Sequence, residues 1–311
     1  MKHNYYPYVF FKNTVIPVDK ANVPVMTNAL QYGTGVFAGI RGYVNKEKGI
    51  ISVFRIHDHF ERFFQSIRIL DVELKFTAEE LVNITLKLLK KNKPTSDTYI
   101  RPFAFASSLN LSPNLERDKH FDVAIYMMPL GEYLPVDKGL SAMVSSWRRI
   151  SDNAIPSRAK ISGSYINSAL ARKEATDNEY DEAIFLTEQG HVAEGSAENL
   201  FIVRSGTLIT PTQSDDVLEG ITRRTVIQLA HDLGIPVEIR SIDRSELYIS
   251  DEAFFCGTGV QIAWIAQIDK RTIGNGKRGP ITKKMQELFF SIVYGNKQKY
   301  SNWCTTIPIA L

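Results

Sequence analysis

Cysteine is scarce in this chain, whose 311 residues include only Cys256 and Cys304. Two cysteines so far apart in sequence are too few for a disulfide framework, and neither has a second cysteine or a histidine at metal-ligand spacing. We therefore expect no disulfide scaffold and no metal site, and a reducing, cytoplasmic compartment.

A large excess of positive or negative charge is lacking, and so are long apolar runs. Lysine and arginine number 37 against 34 aspartates and glutamates, which leaves a formal net charge of +3. Nucleic-acid and membrane-surface proteins usually carry a concentrated basic patch, so this balance argues against both classes. No stretch approaches the roughly 18 apolar residues of a membrane span. The first residues, MKHNYYPYVFFKNTVIP, contain no continuous apolar segment of a leader peptide and are expected to belong to the mature protein.

The phosphate-binding signatures of nucleotide enzymes are missing too. Neither a Walker loop nor a complete G-x-G-x-x-G stands in the sequence, so nucleotide binding is unsupported. Internal repeats and low-complexity tracts do not occur. What is present is ordinary globular composition, 44% hydrophobic and 23% charged, in a chain long enough for two medium domains.

Strand-like segments, rich in aromatic and β-branched residues, outnumber amphipathic helical ones. They do not alternate strictly with the helices, which favours an α+β fold over a doubly wound sheet. The second helical segment opens with Thr77 and Glu80, the pattern of a capping box. Helices are predicted over 57–70, 77–91, 164–175, 221–233 and 281–296, and strands over 6–11, 14–18, 51–54, 98–107, 121–129, 140–147, 181–188, 191–203, 206–211, 237–241, 251–259 and 262–269.

The best candidate for a linker is LGEYLPVDKG at residues 130–139, which has no hydrophobic period and carries Gly, Pro and Asp. This predicts an N-terminal domain over residues 1–129 and a C-terminal domain over residues 140–311.

Lys160 is the first candidate for chemistry. It lies in SRAKISGSY, between a loop after Pro156 and a helix, where a lysine is ordinarily a solvated surface charge. The small residues at 162–164 would let a planar ligand approach closely. A lysine attacks carbonyl carbon when it is desolvated or lies beside other cations, so Lys160 is a candidate nucleophile.

Two turns are candidates for holding a phosphate. Gly220 precedes Ile221 and Thr222 at the start of a helix, where backbone N–H groups, a hydroxyl and the positive end of the helix dipole converge. The GTG turn at 257–259 follows an apolar strand and offers another threonine. Ordinary caps and strand ends have the same composition, so the residues alone leave both interpretations open.

Two carboxylates, Glu194 and Glu198, flank a Gly-Ser-Ala turn in HVAEGSAENLF. Carboxylates in turns are most often solvated. A buried one would instead keep a ring nitrogen protonated, and a pyridine cofactor depends on that charge to act as an electron sink.

In order and content these segments resemble one family along nearly the whole chain: the fold-type IV pyridoxal-phosphate enzymes, and within them the branched-chain amino-acid aminotransferases. The resemblance implies an α+β fold with a small N-terminal α/β domain, a larger β-rich C-terminal domain and the active site between them. The matching stretches are ALQYGTGVFAGIRGY (29–43), VFRIHDHFERF (53–63), YIRPF (99–103), AMVSSWRRISDNAIPSRAKISGSYINSALA (142–171), YDEAIFLTEQGHVAEGSAENLFIV (180–203), LEGITRR (218–224), and GTG with RGPITKKMQELFF.

The resemblance implies a role for each matching residue. Lys160 matches the lysine that binds pyridoxal 5'-phosphate covalently and moves the proton between the substrate and the cofactor. Glu194 matches the carboxylate that pairs with the ring nitrogen, and Tyr165 the tyrosine that hydrogen-bonds the phenolic oxygen. The other cofactor contacts implied are Arg55, Leu218, Ile221, Thr222 and Thr258. The substrate contacts implied are Tyr32, Phe37, Tyr99, Arg101, Tyr133 and the backbone N–H groups of Thr258 and Gly259.

The implied reaction is ping-pong transfer of the amino group of branched-chain L-amino acids to 2-oxoglutarate, in a cytoplasmic homodimer of amino-acid biosynthesis. Alternatives of the same fold are a D-amino-acid aminotransferase, an (R)-selective amine aminotransferase and aminodeoxychorismate lyase. Tyr99, Arg101 and the GIRGY segment favour the branched-chain type. Ala38 and the turn GTGVQI depart from its usual pattern, which puts the substrate in more doubt than the reaction. A cofactor-free interaction protein is disfavoured by the retained Lys160, Glu194, Tyr165 and Arg55.

Overall fold

The computed structural model describes residues 5–115, 121–131 and 138–309. Its helices are α1 (Asn28–Tyr32), α2 (Ile56–Ile69), α3 (Ala78–Asn92), α4 (Tyr165–Asp177), α5 (Ile221–Asp232), α6 (Arg244–Leu247) and α7 (Pro280–Val293). Its strands are β1 (Tyr8–Phe11), β2 (Thr14–Pro17), β3 (Gly35–Phe37), β4 (Ile40–Asn45), β5 (Ile50–Phe54), β6 (Thr98–Ala106), β7 (Phe121–Pro129), β8 (Leu140–Arg148), β9 (Glu182–Leu186), β10 (Val192–Gly195), β11 (Asn199–Arg204), β12 (Thr207–Thr210), β13 (Val237–Ile239), β14 (Glu252–Gly257), β15 (Gln261–Ile268), β16 (Arg271–Thr272) and β17 (Cys304–Pro308).

The chain forms two compact units. The first contains Met1–Gly131, Ala159–Gly163 and Phe290–Leu311, and the second contains Glu132–Arg158 and Ser164–Phe289. The last strand, β17, pairs with β5 in the first unit. Of the predicted linker at 130–139, residues 132–137 lie outside the described residues. The predicted domain boundaries stay a prediction.

The first unit is built on an antiparallel sheet in the order β17-β5-β4-β6-β7-β1-β2, with β3 also paired to β6. Helices α2 and α3 pack together, α2 also against β3 and α3 against β1. The apolar side of α2, with Phe60, Phe63 and Ile67, is buried, as its periodicity predicts. The predicted capping box at the start of α3 is present, because Thr77 and Glu80 bond each other's backbone N–H groups.

The second unit contains a mixed sheet in the order β10-β9-β8-β15-β14-β11-β12-β13. Strand β8 runs parallel to both β9 and β15, and most other pairs are antiparallel. Helix α4 packs on β8 and β9 through Ala171 and Ala175, whose small side chains allow close approach to Phe185. Sheets with helices set beside them, without regular strand-helix alternation, confirm the predicted α+β class.

Strands β3 and β4 were not predicted, since glycine is depleted in strands and residues 33–42 carry Gly33, Gly35, Gly39 and Gly42. The glycines are needed because large side chains pack against this backbone. A Cβ at Gly35 would lie 2.8 Å from the Phe103 ring, and one at Gly42 would lie 2.7 Å from the Ile51 side chain. Within the described ranges, none of the helices combines the length and apolar character that spanning a membrane requires.

Candidate active site

Lys160 lies in a short loop, residues 159–163, whose last two residues begin a 3₁₀ turn, and we call it the lysine segment. This segment runs along residues 33–37 of the same unit. The N–H of Phe37 donates to the Lys160 carbonyl at 3.0 Å, Ile161 forms an antiparallel bridge with Val36, and the N–H of Gly163 donates to the Gly33 carbonyl at 3.1 Å. The position of the lysine is therefore determined by backbone pairing with residues far away in sequence.

The side of the lysine segment is anchored by two hydroxyl groups. The Lys160 N–H donates to Ser66 Oγ at 3.2 Å, and that hydroxyl donates to the Arg62 carbonyl within α2. Ser162 Oγ lies 2.8 Å from the Gly33 carbonyl oxygen and 3.1 Å from that of Gly35. A Cβ at Gly33 would lie only 2.6 Å from the Gly163 Cα, so glycine is required where the two segments touch.

Three predicted substrate residues gather beside the lysine. The Lys160 Nζ lies 5.1 Å from the centroid of the Phe37 ring, and the Arg101 guanidinium lies 4.3 Å from the same centroid. Arg101 also donates to the Tyr99 hydroxyl at 2.9 Å. The Arg101 guanidinium beside an aromatic ring suits a ligand that is anionic at one end and apolar at the other.

Gly39 determines how closely Tyr99 approaches this group. A Cβ at position 39 would collide with the Tyr99 hydroxyl, so any larger residue would displace the tyrosine from Arg101. Sequence inspection did not single out Gly39, although it stands in the GIRGY match.

Arg55 is at the N-cap of α2, with a left-handed backbone at φ 47°. Its guanidinium lies 3.9 Å from the Trp303 ring centroid and 3.2 Å from the Asp58 carboxylate. A left-handed conformation costs an arginine about 1 to 3 kcal/mol and is typical of functional positions.

Tyr32 differs from the other predicted substrate residues, because its hydroxyl donates to the Leu111 carbonyl on the surface.

In the second unit, Glu194 is a buried carboxylate with several donors. The Arg149 guanidinium lies 3.0 Å away, Asn199 Nδ2 donates at 2.9 Å, and the Leu218 N–H donates at 3.1 Å. A carboxylate is stable at this depth only when it is paired and hydrogen-bonded, and these donors favour its ionised form.

The start of α5 lies next to this carboxylate. Asn199 also donates to the Leu218 carbonyl at 2.9 Å, and a Cβ at Gly220 would collide with the Asn199 side chain. Gly220 is the N-cap and offers no side chain to the first-turn N–H groups, and the first turn has no acidic residue. Ile221 and Thr222, both buried, are the first residues of the helix. This end of α5 is suited to an anion such as a phosphate.

Thr258 and Gly259 lie in the turn between β14 and β15, half-buried. The position of a Cβ at Gly257 is 3.8 Å from the Ala197 carbonyl, so this turn runs beside the turn that follows Glu194. Tyr165 is the first residue of α4. Tyr133, the remaining predicted substrate residue, lies outside the described residues.

Sequence reasoning missed Arg149 and Asn199. Both lie inside the matching stretches, but an arginine or an asparagine in such a sequence does not indicate a role. Their role follows only from their short distances to Glu194 in the fold. The structure thus brings together Lys160, Phe37, Tyr99 and Arg101 in the first unit. In the second unit it brings together Glu194, Leu218 and the start of α5.

The description "amino-transferase class IV" belongs to the family model that matches residues 35–268, well over half of the chain. The chain belongs to the class IV aminotransferase family. A probable branched-chain-amino-acid aminotransferase of Aquifex aeolicus is 47% identical over 301 residues, which cover 96% of this chain and 96% of that protein.

Two solved structures of the family are also similar. The branched-chain aminotransferase of the archaeon Thermoproteus uzoniensis, determined with norvaline, is 44% identical, with a TM-score of 0.93 over 97% of this chain and 99% of that one. The branched-chain amino acid aminotransferase of Thermobaculum terrenum in its PLP-form is 39% identical, with a TM-score of 0.93 over 98% and 99% of the two chains. These likenesses confirm the predicted fold-type IV.

Replacing Ser66 by Ala is expected to destabilise the protein by about 1 to 3 kcal/mol, because the partly buried Lys160 N–H loses its acceptor. The matched control is Thr85→Val, since Thr85 is also buried and its hydroxyl donates to a helical carbonyl, that of Leu81. Denaturant unfolding of both variants measures the difference. Equal losses would contradict the importance of the Ser66 contact.

Proposed function

We propose that this chain is a pyridoxal-phosphate-dependent transaminase that moves the amino group of branched-chain L-amino acids to 2-oxoglutarate. The observation that carries the proposal is the near full-length likeness to proteins named as branched-chain aminotransferases, at 47% and 44% identity. One of these was determined with norvaline, an aliphatic amino acid.

The described residues fit the cofactor. Glu194 is a buried carboxylate held by Arg149, Asn199 and the Leu218 N–H, which suits a protonated ring nitrogen. The start of α5 suits a phosphate, because its first turn has no acidic side chain and Thr222 adds a hydroxyl. The similar Thermobaculum terrenum structure is a PLP-form. When bound, pyridoxal phosphate supplies an electron sink for the substrate's α-carbon.

Each residue of the chain then has a definite task. When the cofactor is bound, Lys160 would hold it covalently, give way to the amino acid, and carry the proton between the substrate's α-carbon and the cofactor. Glu194 keeps the proton on the ring nitrogen, and Tyr165 donates a hydrogen bond to the phenolic oxygen. Arg55, Ile221, Thr222 and Thr258 would hold the phosphate, and Leu218 would contact the ring.

The substrate residues must accept two kinds of side chain. The Phe37 ring offers an apolar surface to a branched aliphatic side chain, and the Arg101 guanidinium beside it offers a positive charge to the second carboxylate of 2-oxoglutarate. Tyr99, held by Arg101 at 2.9 Å, presents a hydroxyl. The substrate contacts are completed by Tyr32, Tyr133 and the N–H groups of Thr258 and Gly259.

A homodimer is part of the proposal, and the surface around α1 supports it. Asn28 and Tyr32 bond the backbone of Ser112 and Leu111, which joins α1 to the loop before residue 115. Large exposed apolar side chains gather in these two segments, as expected of an interface. They are Val25 (80% exposed), Met26 (54%), Leu30 (63%), Leu109 (51%) and Leu111 (83%). Since Tyr32 lies among them, we assign it to the pocket of the partner subunit.

A cytoplasmic location is also part of the proposal. The free thiols of Cys256 and Cys304 support it, because cytoplasmic proteins rarely form disulfides.

Replacing Lys160 by Ala is expected to lower transamination by at least about 10² to 10⁴-fold, because the group that moves the proton is lost. Purified unaltered protein should be yellow, and borohydride should fix the cofactor to the peptide that contains Lys160. The control is Lys173→Ala, whose side chain is 72% exposed. Cofactor fixed to another peptide, or a fully active Lys160→Ala variant, would overturn the assignment.

L-Leucine is expected to bleach the yellow colour in a single half-reaction, and 2-oxoglutarate to restore it. D-Alanine, (R)-1-phenylethylamine and aminodeoxychorismate serve as the competing donors, because other enzymes of this fold use the same lysine and cofactor. Bleaching by one of these, with no response to L-leucine, would refute the substrate assignment and leave the cofactor assignment intact.

Replacing Leu30 by Asp is expected to convert the dimer to monomers, because a charge would be buried in an apolar interface. Ile249→Asp is a matched control, since both side chains are 63% exposed. Sedimentation equilibrium of both variants measures the assembly. A dimer that survives Leu30→Asp, or is lost equally in the control, would contradict the proposed interface.

A further inference from the structure

A second buried carboxyl pair lies in the second unit, and the proposed reaction does not use it. Glu182 on β9 is fully buried, and Glu198, between β10 and β11, is 4% exposed. Glu198 is the last residue of the turn that follows β10, and Glu194 is the next-to-last residue of β10. The conformation of this turn therefore affects the position of the Glu194 carboxylate.

Glu182 has the partners of an ionised carboxylate. The Arg172 guanidinium of α4 forms an ion pair with its Oε2, and the Ala183 N–H donates to its Oε1 at 2.8 Å. Ser196 donates to it from both its hydroxyl and its N–H. Burial raises the pKa of Glu182 too, but the Arg172 cation and three donors oppose this effect, so Glu182 is the member of the pair that ionises more readily.

Glu198 has different surroundings. Its Oε2 accepts the Ala197 N–H at 3.0 Å, and a Cβ at Gly195 would lie 3.1 Å from the same oxygen, so the carboxyl group rests against the turn. Burial, reinforced by the negative charge of Glu182, raises the pKa of Glu198 well above its ordinary value.

The other charged and titratable groups near Glu198 do not offset this. Glu194 on β10 adds negative charge, and the Arg172 cation is already paired with Glu182. Cys256 on β14 is a neutral thiol, because burial raises its pKa. Arg223 on α5 is committed to Thr210 Oγ1 and the Pro211 carbonyl.

We propose that Glu198 is a positioning residue that works as a neutral carboxylic acid, fixing the turn at residues 195–197 so that Glu194 keeps its place beside Arg149. The neutral form is essential to this role. An ionised Glu198 would repel both Glu182 and Glu194 in a region where water cannot screen the charges. Glu194 thus remains the ionised carboxylate available to the ring nitrogen. This inference rests on the proposed cofactor chemistry for its catalytic part only.

The decisive variant is Glu198→Gln, which resembles the neutral acid in shape and hydrogen bonding. It should fold and keep kcat within about twofold of the unaltered chain, because the Ala197 N–H keeps its acceptor. Glu198→Leu should lower kcat about tenfold with little change in KM, because that acceptor is lost while the substrate contacts remain. A large loss of kcat in Glu198→Gln would overturn the proposal.

The stability of the folded protein provides a test that needs no activity. Because the pKa of Glu198 is higher in the folded than in the unfolded chain, its contribution is complete below the unfolded value of 4.5 and is lost as pH rises through the folded value. Glu198→Gln removes this dependence. Denaturant unfolding should therefore show the variant gaining stability relative to the unaltered chain as pH rises above 4.5.

Glu182→Gln is the matched control, since it alters the ionised member of the pair. It should be less stable than Glu198→Gln at neutral pH, because Arg172 loses its counter-charge. Infrared spectra should contain the carbonyl stretch of a protonated carboxylic acid that disappears in Glu198→Gln. The reverse order of stabilities, or no such band, would overturn the proposal. Failure of the transaminase assignment would leave these two measurements unaffected.

Discussion

Both polar backbone groups of Lys160 are engaged, its N–H by Ser66 Oγ and its carbonyl by the Phe37 N–H. A long flexible side chain placed on a mobile loop would sample many positions, and ordering it would oppose each reaction cycle. Here the ordering is done during folding, by pairing with residues 33–37. Phe37 contributes twice, since its ring also lies 5.1 Å from the lysine Nζ.

The second unit shows how a fold keeps negative charge in its interior. Glu194 and Glu182 each have an arginine, Arg149 and Arg172 respectively. Glu198 accepts a hydrogen bond from the Ala197 N–H, and burial raises its pKa well above the ordinary value. Because a buried charge is tolerated only with a partner, each of these two arginines favours the ionised form of the carboxylate that it contacts.

The sequence predicts well whatever depends on local pattern. The hydrophobic period predicts which side of α2 is buried, and the Thr77 and Glu80 pattern predicts the capping box, because both depend on residues within one helix. Strand β4 escaped prediction because its glycine, Gly42, is required by contacts with Ile51 and Thr98 on the two neighbouring strands, which local pattern does not show. For the site, the family resemblance supplied Lys160 and Glu194. It could not supply Ser66, Arg149 or Asn199, because their importance lies in distances that the folded backbone sets.

Arg55 is held in place by Trp303, which lies far from it in sequence. Its N–H donates to the Trp303 carbonyl at 2.7 Å and its guanidinium stacks on the Trp303 ring, while β17 starts at the next residue. The tryptophan thus serves as a platform, and β17 ties that platform to β5. Any change that loosens β17 would therefore also displace the ring on which Arg55 rests, although it would alter neither residue.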